Sequence, residues 1–228
     1  MMNLHRLTSR VLDELDFAEL DEVVIYDHGS DDPATIRWLA AIERREKVSV
    51  DRRAAIPEES LYRSWNDTIR RALDRHAVVE VDVVLLNNDV RLPEGFLGAL
   101  TRALRAGDGR LAITYPDVDA TLEAGIPRAL DVTPTKGLKG EGGLVGHAFA
   151  LKAELFRSEL PYIDERLKFY SGDRDLIHNV EAAGYHAGRV NGLPCTHHWG
   201  GTRRRRPELK EQQRRDVSLW WGEHRAKR

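Results

Sequence analysis

Three shortages narrow the possibilities before any motif is read. A single cysteine, Cys195, stands in 228 residues, which excludes an intramolecular disulfide framework and any zinc motif built on paired cysteines, and makes a reducing cytoplasm the expected location. No apolar stretch approaches the ~18 residues that a membrane-spanning helix needs, and the amino terminus carries no signal-peptide core. A soluble or at most peripheral protein is expected. The chain also lacks a GxxxxGKS/T phosphate loop and a GxGxxG fingerprint, which argues against an ordinary NTPase or dinucleotide enzyme.

Charge is nearly balanced, at a formal net value of -2, but it is unevenly spread. Residues 203–228 hold ten Lys or Arg against four Asp or Glu, a surplus of six that leaves eight negative charges on residues 1–202. An acidic body argues against a general nucleic-acid surface and suits metal-assisted chemistry, while the basic tail could meet a membrane surface or an anionic partner. The organisation read from this is one domain over 1–202 and a basic helical tail over 203–228.

What the chain does contain is alternation. Leu7, Val11, Leu12 and Leu15 line one face of an opening helix, Glu22–Asp27 reads as a short strand, and a helix follows near 33–46. Leu61, Trp65, Ile69, Ala72 and Leu73 recur at helical spacing, then comes a strand, a helix with Phe96, Leu97, Leu100 and Leu104 on one face, and a strand at Arg110–Tyr115. Strands alternating with helices through short loops predict βαβ units and a mostly parallel sheet. From Pro116 to Gly143 the periodicity fades into a glycine-rich stretch, which reads either as a lid or binding loop or as disordered surface.

Chemistry concentrates at element ends. Val81–Leu86 is apolar enough to be buried on both faces and ends in Asn87, Asn88 and Asp89. In open α/β sheets ligands sit at the carboxyl ends of strands, so these three open on a crevice where a carboxylate could hold Mg2+ or Mn2+ against a diphosphate. A plain polar turn is the competing reading. Asp32 or Ser30 could cap the helix that Pro33 opens, and Asn66 sits beside an apolar stripe without an obvious structural task. Asp173 and Asp175 lie at a helix start and, at about 100° per residue, point to nearly opposite sides, so at most one faces a given pocket. His197 and His198, adjacent in an extended segment, likewise face opposite ways.

Together these pieces resemble the family 2 type of GT-A glycosyltransferases, from about residue 20 to about residue 200. Val24–Asp32 looks like the family's VDNGSxD segment, Asn66 and Ala72 like its N...A pair, and Leu85–Asp89 like the LNND form of its DXD motif. Tyr162–Glu165 followed by Gly172–Leu176 is similar to FDE...EDxDL, with Gly184-Tyr185 after it. The resemblance implies a GT-A-like, Rossmann-like sheet flanked by helices and an inverting transfer of sugar from a nucleotide diphosphate donor to a glycan or protein acceptor, with a divalent cofactor, Mn2+ or Mg2+. By the same match Asp173 is the catalytic base and Asp27, Ser30, Asp32, Asn66, Asn87 and Asn88 serve the nucleotide sugar. Asp89 binds the metal, with a histidine such as His198 completing the shell. Two departures stand out. The family's first strand, ending in a PTYN-like turn, has no counterpart ahead of the opening helix, and Gly172 replaces the family's usual Glu. They keep a second expectation in view, a non-catalytic glycan- or protein-binding module. A homo-oligomer is compatible with either.

Overall fold

The computed structural model describes residues 5–76, 80–135, 146–197 and 209–225. Its elements in chain order are α1 (His5–Asp13), β1 (Val23–His28), α2 (Pro33–Ile42), β2 (Val48–Arg53), α3 (Leu61–Arg75), β3 (Asp82–Leu86), β4 (Val90–Arg91) and α4 (Phe96–Ala106). They continue as β5 (Leu111–Asp117), β6 (Val132–Pro134), β7 (Ala148–Lys152), α5 (Gly172–Ala182), β8 (His186–Pro194), β9 (Thr196–His197) and α6 (Leu209–Arg225).

Local chemistry sets several boundaries. Asp32 caps α2 by accepting from the Thr35 N–H, with Pro33 in the first turn, where its missing N–H costs nothing. Ser60 caps α3 by accepting from the Tyr62 N–H at 3.1 Å, and its own hydroxyl donates to the Leu167 carbonyl. Behind α5 the chain turns at Gly184, whose φ of +83° is one that glycine adopts freely.

The expected α/β layer is present, and its pairing is mixed rather than mostly parallel. Strands β3, β7, β5, β8 and β6 form one sheet in that spatial order; β5 and β8 run parallel, whereas β7 lies antiparallel to both β3 and β5 and β6 antiparallel to β8. Strands β1 and β2 form a separate parallel pair, and β4 with β9 an antiparallel clip. The short strand β6 emerges from the stretch whose sequence shows no periodicity, because its partner β8, not its own side chains, defines it. The glycine-rich residues 136–145 lie outside the described residues, as do 198–208.

Burial divides along the same line as the sheets. One core cluster, containing Tyr62, Trp65, Ile69, Phe149, Ile163, Leu176 and Trp220, packs α3 and α5 on one face of the five-stranded sheet. A second, with Phe96, Leu100, Leu104, Ala148 and Val190, packs α4 on the other. Strands β1 and β2 have a small core of their own, Leu12, Ile25, Leu39 and Val48. The described part of the basic tail is no free arm. Helix α6 buries Leu209 and Trp220, and its Asp216 carboxylate accepts from the backbone N–H groups of Lys168, Phe169 and Tyr170 at 3.1, 2.7 and 2.8 Å. No described helix is long and apolar enough to cross a membrane.

Candidate active site

The carboxyl ends of β1 and β3 supply one side of the site. Asp27, near the end of β1, is buried and accepts a hydrogen bond from the Ser30 hydroxyl. Between them Gly29 holds φ at +71°, and a Cβ there would stand 2.9 Å from Ala55 Cβ and 3.0 Å from Ala55 backbone, so both conformation and space require glycine. His28 is buried with Nε2 3.0 Å from Ser64 Oγ, and burial pushes its pKa down to about 4. Asp32 is exposed and committed to its cap. The Thr35 N–H and hydroxyl each donate to it at 2.8 Å, and these bonds hold its pKa below the usual carboxylate value.

At the end of β3 the three polar residues separate. The Asn88 amide turns to α1 and donates to Thr8 Oγ1 at 3.3 Å. Asp89 is 6% exposed and lies 2.9 Å through Oδ1 from His197 Nε2. The Asn87 side chain stands 3.3 Å from the same nitrogen. The clip of β4 against β9, which sets Val90 opposite His197, brings these groups together. His147 stacks on His197 with ring centroids 4.9 Å apart and planes 7° from parallel. Burial first, and the neighbouring His197 second, lower the His147 pKa to about 4. Of the histidine pair in the sequence, His197 is the one seen at Asp89; His198 lies outside the described residues. Sequence reasoning missed His147, whose only signal was its place in the chain beside Gly146.

Among the described residues no group of three or more His, Cys, Asp or Glu side chains is arranged to hold a metal. Asp89 and His197 do place an oxygen and a nitrogen donor side by side. Two protein donors completed by phosphate oxygens and water is a common way of holding Mg2+-like ions at diphosphates, so the donor set fits such an ion.

The other side of the site is the start of α5. Asp173 is half-buried, and burial raises its pKa above the usual carboxylate value although the backbone N–H groups of Arg174 and Gly146 both favour the charged form. A Cβ on Gly146 would lie 3.2 Å from Asp173 Cβ and 3.1 Å from the Trp65 ring, so Gly146 lets the acid close against the strand end. Residues 146 and 147 therefore bridge the two sides, Gly146 touching Asp173 and His147 stacked on His197. The Gly172 departure has a steric reason. A Cβ there would fall 2.1–2.4 Å from the Tyr62 ring, which occupies the space a larger side chain would need.

Asp175 does point away from Asp173. It is buried, accepts from the Asp164 N–H at 2.9 Å, and lies 3.7 Å from His224 of α6. Asn66 acts at the same loop. Its amide donates to the Ile163 carbonyl at 2.9 Å and to Glu165 at 3.0 Å, and its carbonyl oxygen accepts from the Ile163 N–H at 3.1 Å. Those bonds assign Asn66 the task of fixing the segment ahead of Asp173, which the sequence reading had given to donor contact.

No protein-family model matches the sequence, and no curated protein does either. Solved structures do resemble the fold. GalNAc-T7 with UDP, GalNAc and Mn2+ superposes at a TM-score of 0.60 with 16% identity, over 85% of this chain and 40% of that one. TarS residues 1–349 of S. aureus gives 0.55 with 14% identity, over 83% and 56%. Glucosyl-3-phosphoglycerate synthase of Mycobacterium tuberculosis, with Mn2+, UDP-glucose and glycerol 3-phosphate, gives 0.59 with 18% identity, over 97% and 76%. The chain thus spans two fifths of the first structure's length and just over half of the second's. At these identities the likeness shows the architecture, and the chain has the GT-A-like glycosyltransferase fold.

Proposed function

We propose that this protein is an inverting glycosyltransferase that moves a sugar, a hexose by preference, from a nucleoside diphosphate donor to an acceptor hydroxyl on a glycan or protein. The observation that carries the proposal is the bridge at Gly146 and His147, which sets a carboxyl of raised pKa, Asp173, against one side of the strand ends and the Asp89–His197 pair against the other. Inverting transfer needs those two functions close together. A base takes the acceptor proton while the sugar carbon is attacked from the face opposite the leaving group, and positive charge receives the departing diphosphate.

Asp173 is suited to the base role because burial disfavours its charged form and so strengthens its demand for a proton. Asp89 and His197 would hold a divalent ion, which supplies charge neutralisation at the diphosphate when bound. Neutral His147 fixes the His197 ring by stacking, and Asn87 orients it from the other edge. Asp27 and Ser30 form the polar lip at the end of β1, where a nucleoside would lie. That GalNAc-T7 and the mycobacterial synthase were solved with UDP and Mn2+ supports this assignment.

The reading predicts a split between binding and turnover. Asp173→Asn should leave donor affinity unchanged while lowering the transfer rate by about 100-fold or more, the usual worth of a positioned base. Steady-state kinetics beside calorimetry of nucleoside diphosphate binding would measure both, and an unchanged rate would remove Asp173 from the role. A non-catalytic binding module is favoured by one observation, that Asp89 and His197 bond to each other. It predicts calorimetric silence toward UDP, GDP and dTDP with Mn2+.

A further inference from the structure

Between β1 and β3 the layer is interrupted by a cavity of about 710 Å³. Val23, Val24 and Ile25 line one long edge and Val83, Val84 and Leu85 the other. Ser64, Trp65 and Thr68 of α3 cover one face, while Val11 and Leu12 of α1 with Leu97 of α4 cover the opposite face. The cavity therefore has the layering of an α/β domain, with helices on both sides and no strand between them. The ladders agree, since among the described residues β1 pairs with β2 and β3 pairs with β7, and neither pairs with the other.

The orientation of the two edges can be read from their ends. The Asn88 amide, beyond β3, bonds Thr8 of α1, and His5 of α1 bonds Thr35, just beyond β1, at 2.8 Å. At the opposite end Glu22, ahead of β1, is held by Arg71 and Arg75 at the end of α3. Both strands therefore run toward the start of α1. Backbone direction follows from the period of two. The Val23 N–H bonds the Lys47 carbonyl on the β2 side, and the Asn87 N–H bonds His147 on the β7 side. Val24 on β1, and Val84 and Leu86 on β3, then direct their N–H and C=O groups toward the cavity. Buried backbone groups of this kind are satisfied by a neighbouring strand in nearly all folded proteins.

We infer that this slot is a strand-acceptor site. Its occupant is an extended apolar segment that lies parallel to β1 and β3, bonds to both, and runs directly into α1. The place of α1 selects a segment on the same chain, because α1 begins at the carboxyl mouth of the slot and returns over it to β1. A strand in the slot followed by α1 and β1 is then a βαβ unit, the standard way of joining parallel neighbours. Filling the slot would join the small core around Ile25 and Leu39 to the two larger cores.

The test adds a strand and reads the slot's own amides. The protein is extended ahead of Met1 by about eight residues, alternating Val and Thr over the length of β1 and turning at the end. Hydrogen exchange and thermal melting are compared with the unextended protein. The expected result is at least ~10-fold slower exchange at Val24, Val84 and Leu86 and a melting point higher by about 5 °C or more. An extension with Pro at alternate positions, which cannot donate to a ladder, should produce neither. Unchanged amides, or equal gains with the Pro version, would overturn the inference. So would concentration-dependent dimerisation of the unextended protein with the same three amides protected, since that would assign the slot to a second copy. None of these readouts depends on sugar transfer, so failure here leaves the proposed activity untouched, and the reverse holds too.

Discussion

The two sides of the slot hold their polar residues by different means. On the β1 side the bonds are local. Ser30 donates to Asp27 and Thr35 to Asp32, each three residues away. On the β3 and α5 side they span the chain. Asn66 reaches Ile163, Asn87 reaches His197, and Asp216 reaches the loop at 168–170. Local bonds fix a turn wherever it sits, whereas distant bonds exist only once the whole domain has closed. The β1 side can thus shift against the rest without losing its own geometry, while the base and the metal pair depend on packing far from them.

That contrast is tested most severely at Asp216. Asp216→Ala leaves three buried backbone N–H groups without their acceptor, and should cost about 3–5 kcal/mol in denaturant unfolding while also lowering turnover. Asp216→Asn should recover part of both, because its carbonyl still accepts. A loss confined to α6, with α5 undisturbed, would break the comparison. Gly172→Ala comes next. It drives a methyl into the Tyr62 ring and should cost about 1–3 kcal/mol, with a double-mutant cycle against Tyr62→Ala showing a strong coupling. On the local side Asp32→Ala should cost only about 1 kcal/mol, the worth of a cap, and leave α5 unmoved by hydrogen exchange.

The gentlest probe is pH. Asp173 has its pKa raised in the folded protein, so protonation favours the folded state, and its contribution to stability declines as pH rises through that value. Turnover should show the complementary sign, falling as pH drops through a point above the usual value for Asp. A pH–rate profile with no acid limb in that region, or one unchanged in Asp173→Asn, would separate the limb from this residue.

The same contrast explains what the sequence made legible. The loop from Asp27 to Pro33 and the acid at the start of α5 carry their signals within a few residues, so capping and turn chemistry located them. The opposite facing of Asp173 and Asp175 followed from helical period alone. Asn66 could not be assigned correctly, because its partners are nearly a hundred residues away. Asp216 read as one more charge on a basic tail for the same reason. The steric claim of Tyr62 on Gly172 and the antiparallel entry of β7 between β3 and β5 belong equally to tertiary packing.

The central claim is that the strand-end acids perform metal-assisted sugar transfer. The direct measurement is release of nucleoside diphosphate from a panel of UDP-, GDP- and dTDP-sugars, with Mn2+ and then with the ion chelated. The account predicts release from at least one donor that disappears on chelation and in Asp89→Ala. Absence of release from every donor, with the protein folded and Mn2+ present, would contradict it.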